Sequence, residues 1–347
     1  MSEFTTRKIT DRAGTGAPNF TYGLNSGGSD SGLIGKAFTS SGTEPSSPAN
    51  GDLWYDSDND KLYYYVAGEF KQITHVNASN LTWGGDRGLM NTHGGSNTGN
   101  VEYIDITTPS NATTFGSYSQ GSHRTGTMFT GESSRAILAG GDTGTTGTSD
   151  MTYWTTTTLS SGTDFGDMTD GARYPAGASN GTYGLIGGGT RTTGSARSAN
   201  IDTVTIATTA NATDHGDLTA AKSNLGAGSD ATYVLFFGGH PLAGGFSKNI
   251  DYVTAATASN ASDFGDLTTN AAEQNACSNT TLTLISLGYT GSVVNTVEQV
   301  TTATQADSTD FGDLSVARYA MGCCNNATRA AFCGGANASF ANTNIID

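Results

Sequence analysis

The chain has 347 residues, with 16 Lys and Arg against 31 Asp and Glu, a formal net charge of -15, and 48 Gly beside only 6 Pro. That length holds one large domain or two smaller ones, and an acidic balance with no basic cluster excludes broad electrostatic attraction to nucleic acid or an anionic membrane. Charged residues are 14% and aromatic residues 9% of the chain, which is too little self-repulsion and too many rings for a disordered polymer. No run of about 18 apolar residues predicts insertion into a membrane.

In chain order, residues 1–50 open without the apolar centre of a secretion signal. They continue through a Gly/Ser/Thr/Asn-rich stretch from Ala13 to Asn50 that reads as an extended docking arm or linker. Residues 51–75 contain two aromatic-rich strands around an acidic turn, Leu53-Trp54-Tyr55 and Leu62-Tyr63-Tyr64-Tyr65, and read as a small β-hairpin. Asp56, Asp58 and Asp60 alternate in that turn, but no Gly or bidentate Glu follows at EF-hand spacing, so a solvated turn is expected instead of calcium.

From residue 76 to 347 the chain repeats itself. Phe115-Gly116-Ser117-Tyr118, Phe165-Gly166-Asp167-Met168, His215-Gly216-Asp217-Leu218, Phe264-Gly265-Asp266-Leu267 and Phe311-Gly312-Asp313-Leu314 recur about every 50 residues. A glycine landmark keeps the same period at Gly84-Gly85, Gly140-Gly141, Gly188-Gly189, Gly238-Gly239, Leu287-Gly288 and Gly334-Gly335. A third landmark follows each of these, as in Asn200-Ile201-Asp202 and Asn344-Ile345-Ile346-Asp347. Each unit reads as strand, tight turn, strand, long loop, strand, loop, strand, with Thr and aromatic residues supplying β preference and no stretch of helical periodicity. Six four-stranded units of this length predict an all-β fold, a six-bladed β-propeller. The aromatic residue of the first landmark, with His215 in the third copy, is expected to pack between blades, and its Asp residues to cap turns.

The sixth copy stops before a Phe-Gly-Asp-Leu segment. Lys61–Val66 is the candidate for the missing closure strand, with 70–76 then opening the first blade; a three-stranded last blade is the alternative.

Two resemblances bear on function. The six units resemble kelch-type propeller repeats of a Thr- and Asn-rich sort found in phage virion proteins, over about 78–347, although the kelch Tyr and Trp after the double glycine are not kept. Gly51-Asp52-Leu53-Trp54-Tyr55-Asp56, followed by Lys61-Leu62-Tyr63 and Gly68-Glu69-Phe70, is similar to a short module of bacteriophage tail fibres. Together they imply a noncatalytic structural protein of a tailed bacteriophage virion: a tail-fibre, neck or tail-appendage component assembled in the host cytoplasm in multiple copies. Its N-terminal arm would hold other virion proteins, and its propeller would meet a host-surface protein or glycan. A glycan-binding receptor-recognition propeller or capsid decoration protein is the alternative, and a glycan-processing enzyme a more distant one.

No nucleophile elbow, phosphate loop, paired carboxylates or His/Cys ligand spacing stands out, so no catalytic residue, metal or cofactor is assigned. Cys277, Cys323, Cys324 and Cys333 read as buried free thiols, with the adjacent pair pointing to opposite faces of a strand. The loops after the double glycines vary most between copies and are expected on one face. Arg87, His93, Arg191, Arg197, His240, Phe246 and Tyr289 are the candidates there for partner or receptor contact.

Overall fold

The computed structural model describes residues 38–58, 61–72, 85–92, 99–118, 126–131, 134–142, 146–192 and 196–347, and the chain divides into two units, Met1–Val76 and Asn77–Asp347. In the first unit, β1 (Phe38–Ser41) runs parallel to β2 (Leu53–Asp56). β2 pairs antiparallel with β3 (Lys61–Val66), and β3 with β4 (Glu69–Gln72). Ala67 and Gly68, at φ 54° and 92°, form the two-residue turn between the last two strands, the mirror-image turn that suits strand twist. Trp54 organises the sheet: it is buried, stacks on Tyr63 at 4.9 Å, meets the edge of Phe70 at 5.3 Å, and donates its indole N–H to the Ser41 carbonyl at 3.0 Å.

Two expectations change here. The hairpin is a four-stranded sheet, because Phe38–Ser41, assigned by composition to an extended arm, adds a strand to it. Lys61–Val66 is an interior strand with a partner on each side, so its backbone groups are already committed and it is not the closure strand. Residues 1–37 and 73–76 lie outside the described residues.

The second unit is the six-bladed propeller. Blade three shows the pattern, with strands Ala176–Ser179, Tyr183–Gly187, Asn200–Thr205 and Thr213–Asp217 in consecutive antiparallel order from the axis outward. Blades two, four and five repeat it, starting at Thr127, Gly226 and Asn275. In blade one the described strands are Arg87–Thr92, Asn100–Asp105 and Thr113–Ser117. Blade six has Gly322–Asn325 and Ala330–Cys333, with Ile346 bridged to Cys333 as the third row.

Tight turns between the first two strands are made by one device: Asn180, Asp230, Asn279 and Asn326 each accept two backbone N–H groups through the side-chain oxygen. First strands converge around the axis, and some of their positions closely approach the next blade. A Cβ placed on Gly228 would lie 2.4 Å from Ser278 Oγ of the next blade.

The apolar core is divided into six clusters, one at each seam. One of them joins Ile104 and Ile106 of blade one to Ala331 and Cys333 of blade six, so the ring is closed. Polar bonds support that seam: Asn326 Nδ2 donates to Asp86 Oδ1 at 2.8 Å and Arg329 Nη1 to the Thr107 carbonyl at 2.8 Å.

Phe115, Phe165, His215 and Phe264 are buried between blades, but Phe311 is 55% exposed. Each of the four buried ones lies under the turn between the third and fourth strands of the following blade, held by bonds such as Ala212 N–H to the Asp167 carbonyl at 2.7 Å and Ala261 N–H to the Asp217 carbonyl at 2.7 Å. Among the described residues no such turn follows Phe311. The turn-capping role expected of the landmark Asp falls instead on the Asp three residues earlier: Asp164 and Asp214 each accept the N–H two residues on.

The closing seam gives a direct test. Asn326→Ala removes both the turn cap and the bond to Asp86, and should cost about 1–3 kcal/mol in urea unfolding. Asp58→Ala, in the other unit, should leave the propeller transition unchanged.

Candidate functional site

Two kinds of segment meet on one face of the ring: the loops between second and third strands, and the crossovers that lead from one blade to the next. They are stitched by short antiparallel pairings, Arg173 with Thr190, Ser223 with His240, Ala272 with Tyr289 and Tyr319 with Ala336. Each of these four crossovers carries one non-glycine residue in the left-handed region: Tyr174 (φ 57°), Asn224 (57°), Glu273 (59°) and Ala320 (49°). Such residues need support from their surroundings, and here they hold one another. Asn224 N–H donates to the Tyr174 carbonyl at 3.0 Å, Glu273 N–H to the Asn224 carbonyl at 2.9 Å, and Ala320 N–H to the Glu273 carbonyl at 3.5 Å. A backbone chain thus runs from blade to blade around the axis.

Beneath this face an acid occupies the same slot of the third strand in four blades: Asp202, Asp251 and Glu298, all buried, and Asp347, which is exposed. Asp202 accepts from Thr169 Oγ1 at 2.6 Å and pairs with Arg191 at 3.3 Å; Asp251 accepts from Thr219 Oγ1 at 2.5 Å and pairs with Lys222 at 2.9 Å. Glu298 is met by the hydroxyls of Thr268 and Ser308, and Asp347 by Arg318. These groups are spent on one another, since a buried charge must be paired or hydrogen-bonded.

Above them runs a row of rings. His240 meets Phe246 at 5.0 Å, Phe246 meets Tyr289 at 5.5 Å, Tyr289 meets Tyr319 at 6.3 Å, and Tyr319 meets Phe340 at 6.4 Å. The row crosses blades four, five and six and ends at Phe340, which is 78% exposed. Beside it, Glu273 accepts from Asn224 Nδ2 at 2.7 Å and lies 4.0 Å from His240 Nε2. Burial pushes the Glu273 carboxyl above the usual carboxylate range, opposed by the Asn224 bond. Tyr319 is raised as well, by burial and then by the nearby Glu273 and Tyr289.

Of the residues proposed from sequence, His240, Phe246 and Tyr289 come together in this row. Arg191 lies on the same face but is buried, bonded to Asp202 and to the Asp170 and Asn200 carbonyls. Arg197 is half-buried and ties its loop to the next blade through the Pro241 carbonyl at 2.7 Å and Ser223 Oγ. Arg87 is not in a loop at all. Gly84-Gly85 precede a second strand, and Arg87 begins it, donating to the Thr156 carbonyl at 2.8 Å and covering the Tyr103 ring at 4.8 Å. Arg135, at the start of the second strand of blade two, repeats both contacts with Ile206 and Tyr153, so the role is structural. His93 lies outside the described residues.

Asn224, Glu273, Tyr319 and Phe340 were not singled out by sequence. A signal was present for Asn224 and Glu273, which fall six residues after Leu218 and Leu267 of the landmark, as Tyr174 and Ala320 do after Met168 and Leu314. Among the described residues no group of three His, Cys, Asp or Glu is placed to hold a metal, and no helix is long and apolar enough to cross a membrane.

No protein-family model and no curated protein matches the sequence. Among solved structures the chain is similar to YjhT, with a TM-score of 0.62 at 11% identity, covering 75% of this chain and 90% of that one. This likeness is one of fold. It corrects the assignment to a phage virion as a tail-fibre or other structural component. That reading rested on the kelch-like repeats and on short N-terminal motifs, whereas the structural similarity lies with YjhT. The noncatalytic assignment is corrected with it. It relied on the lack of a local motif, and the fold brings Glu273, His240 and Tyr319 together from segments that are far apart in sequence.

The raised Glu273 carboxyl has a consequence for stability. A carboxyl whose folded pKa lies above its unfolded value favours the fold at low pH, and that contribution is lost as pH rises from about 4 through the folded value. Glu273→Gln keeps an oxygen for Asn224 and removes the charge. Its melting temperature should therefore match wild type at pH 3.5 and exceed it at pH 7, by differential scanning calorimetry.

Proposed function

We propose that the propeller binds a saccharide along the row from His240 to Phe340, with Glu273 and Asn224 reading its hydroxyl groups. The observation that carries this reading is the row itself. Linked rings on three adjacent blades, partly open to solvent and flanked by an acceptor carboxyl and an amide, match the alternating C–H faces and hydroxyl edges of a sugar. Aromatic side chains offer large rigid contact at small entropic cost, and a few placed polar groups supply orientation. The paired acids and bases beneath hold the loops so that this surface is formed before a ligand arrives, which lowers the cost of binding.

One feature favours chemistry on the bound sugar. A carboxyl held above its ordinary range by burial and close to an imidazole is suited to giving a proton to, or taking one from, a ring or hydroxyl oxygen.

The test is a screen of the purified chain against a saccharide array, followed by calorimetric titration of the best ligand. Tyr319→Ala and Phe340→Ala should each weaken binding about tenfold, equivalent to about 1.4 kcal/mol, without shifting the melting temperature. Failure of every saccharide to bind, or equal binding by both variants, removes the proposal. If the ligand is turned over, Glu273→Gln should abolish turnover and leave affinity within about threefold.

A further inference from the structure

The cysteines are unused by the saccharide reading, and their placement is specific. Strand Gly322–Asn325 directs Cys323 into the cluster between blades five and six, with Cys277, Leu314 and Phe332, and directs Cys324 into the cluster between blades six and one, with Ile104 and Cys333. All four are free thiols. Cys323 Sγ donates to the Ala276 carbonyl at 2.9 Å, and Asn325 Nδ2 donates to the Ser278 carbonyl at 2.5 Å. The first strands of blades five and six therefore lie side by side, with Cys323 level with Ala276 and packed in the same cluster as Cys277. Cys277, Cys323 and Cys324 also line an axial cavity of about 100 Å³, a space that admits a few water-sized molecules.

We infer that Cys277 and Cys323 form a peroxide-sensitive dithiol that closes to a disulfide across the seam between blades five and six. The oxidant is a small hydroperoxide, hydrogen peroxide itself being the one that fits the cavity. The Cys323 sulfur attacks one peroxide oxygen, the O–O bond breaks, and water leaves with a sulfenic acid on Cys323. The Cys277 sulfur then attacks that sulfur, the S–O bond breaks, the S–S bond forms and a second water leaves. Two thiols and one peroxide give one disulfide and two waters.

The second pair, Cys324 and Cys333, also brings its thiols together between blades six and one, but from positions less suited to closing a disulfide. Across the hairpin Cys324 is opposite Ala331 and Cys333 is opposite Gly322, so these two cysteines are diagonal neighbours. Diagonal neighbours on antiparallel strands are about 7–8 Å apart, beyond the roughly 4.4–6.8 Å usual between the Cα atoms of a disulfide. The seam bond would join the first strands of blades five and six, the blades that carry Tyr289 and Phe340, and it would clip the ring under the aromatic row.

The experiment treats the full folded chain with 1 mM hydrogen peroxide and, separately, with glutathione disulfide, followed by intact mass and non-reducing peptide mapping. Peroxide should lower the mass by about two hydrogens, link the Cys277 and Cys323 peptides and raise the melting temperature. Glutathione disulfide, too large for the cavity, should do neither. Cys324→Ser should keep the link, and Cys323→Ser should abolish it. Because mapping of the wild-type chain stands without any variant, a poorly folding substitution leaves the test intact. A link between Cys324 and Cys333, or unchanged thiols after methionines have oxidised, overturns the inference.

Discussion

Every blade of this propeller leaves something uncovered that only its neighbour covers. The fourth strand of one blade presents an aromatic ring and a glycine, and the next blade lays a turn across them. A Cβ on Gly166 would come within 2.5 Å of the Ala210 carbonyl, and one on Gly216 within 2.4 Å of that of Ser259. These glycines sit at φ 132° and 140°, so approach and backbone shape both require the missing side chain. The exposed Phe311 shows the same dependence from the other direction: its landmark residues are unchanged, and without a covering turn the ring stays in solvent. Burial here belongs to the seam, and the six apolar clusters are its result.

The same mutual dependence holds the functional face. Acids in the third strands are met from the preceding crossover by Thr169, Thr219 and Thr268, or by the cations Lys222 and Arg318. With the crossovers anchored from below, four residues can be kept in the left-handed region and bonded in series around the axis. That arrangement places Glu273 beside His240 and Tyr319 beside Tyr289, pairs that come from different blades. A surface assembled from equivalent positions in successive blades is rigid because each contributor is fixed by the next.

Much of the fold was legible because repetition is a property of sequence. The Phe-Gly-Asp-Leu landmark, the double glycines and the Asn-Gly turn at Asn180 and Gly181 mark strand ends by their backbone chemistry, and the period limits the architecture. The site was legible only in part. His240, Phe246 and Tyr289 were found because they are rings in variable loops, whereas Arg191 and Arg197 looked like exposed cations and are bonded inward. Charge reads the same in a loop and in an ion pair, and only the partner's position decides which it is. Arg87 was misplaced because Gly84-Gly85 imitate a landmark that ends a strand, while here a strand begins just after them.

By itself, then, the sequence determined the β class, the number of blades and the alternation that sends Cys323 and Cys324 to opposite seams, since these follow from period and local stereochemistry. Tertiary structure alone decided that Lys61–Val66 belongs to a separate sheet, that Phe311 is exposed, and that Glu273 shares a surface with His240, Tyr289, Tyr319 and Phe340. Those facts depend on which edges and faces meet in space, and contacts between residues far apart in the chain leave no local trace in the residues that make them.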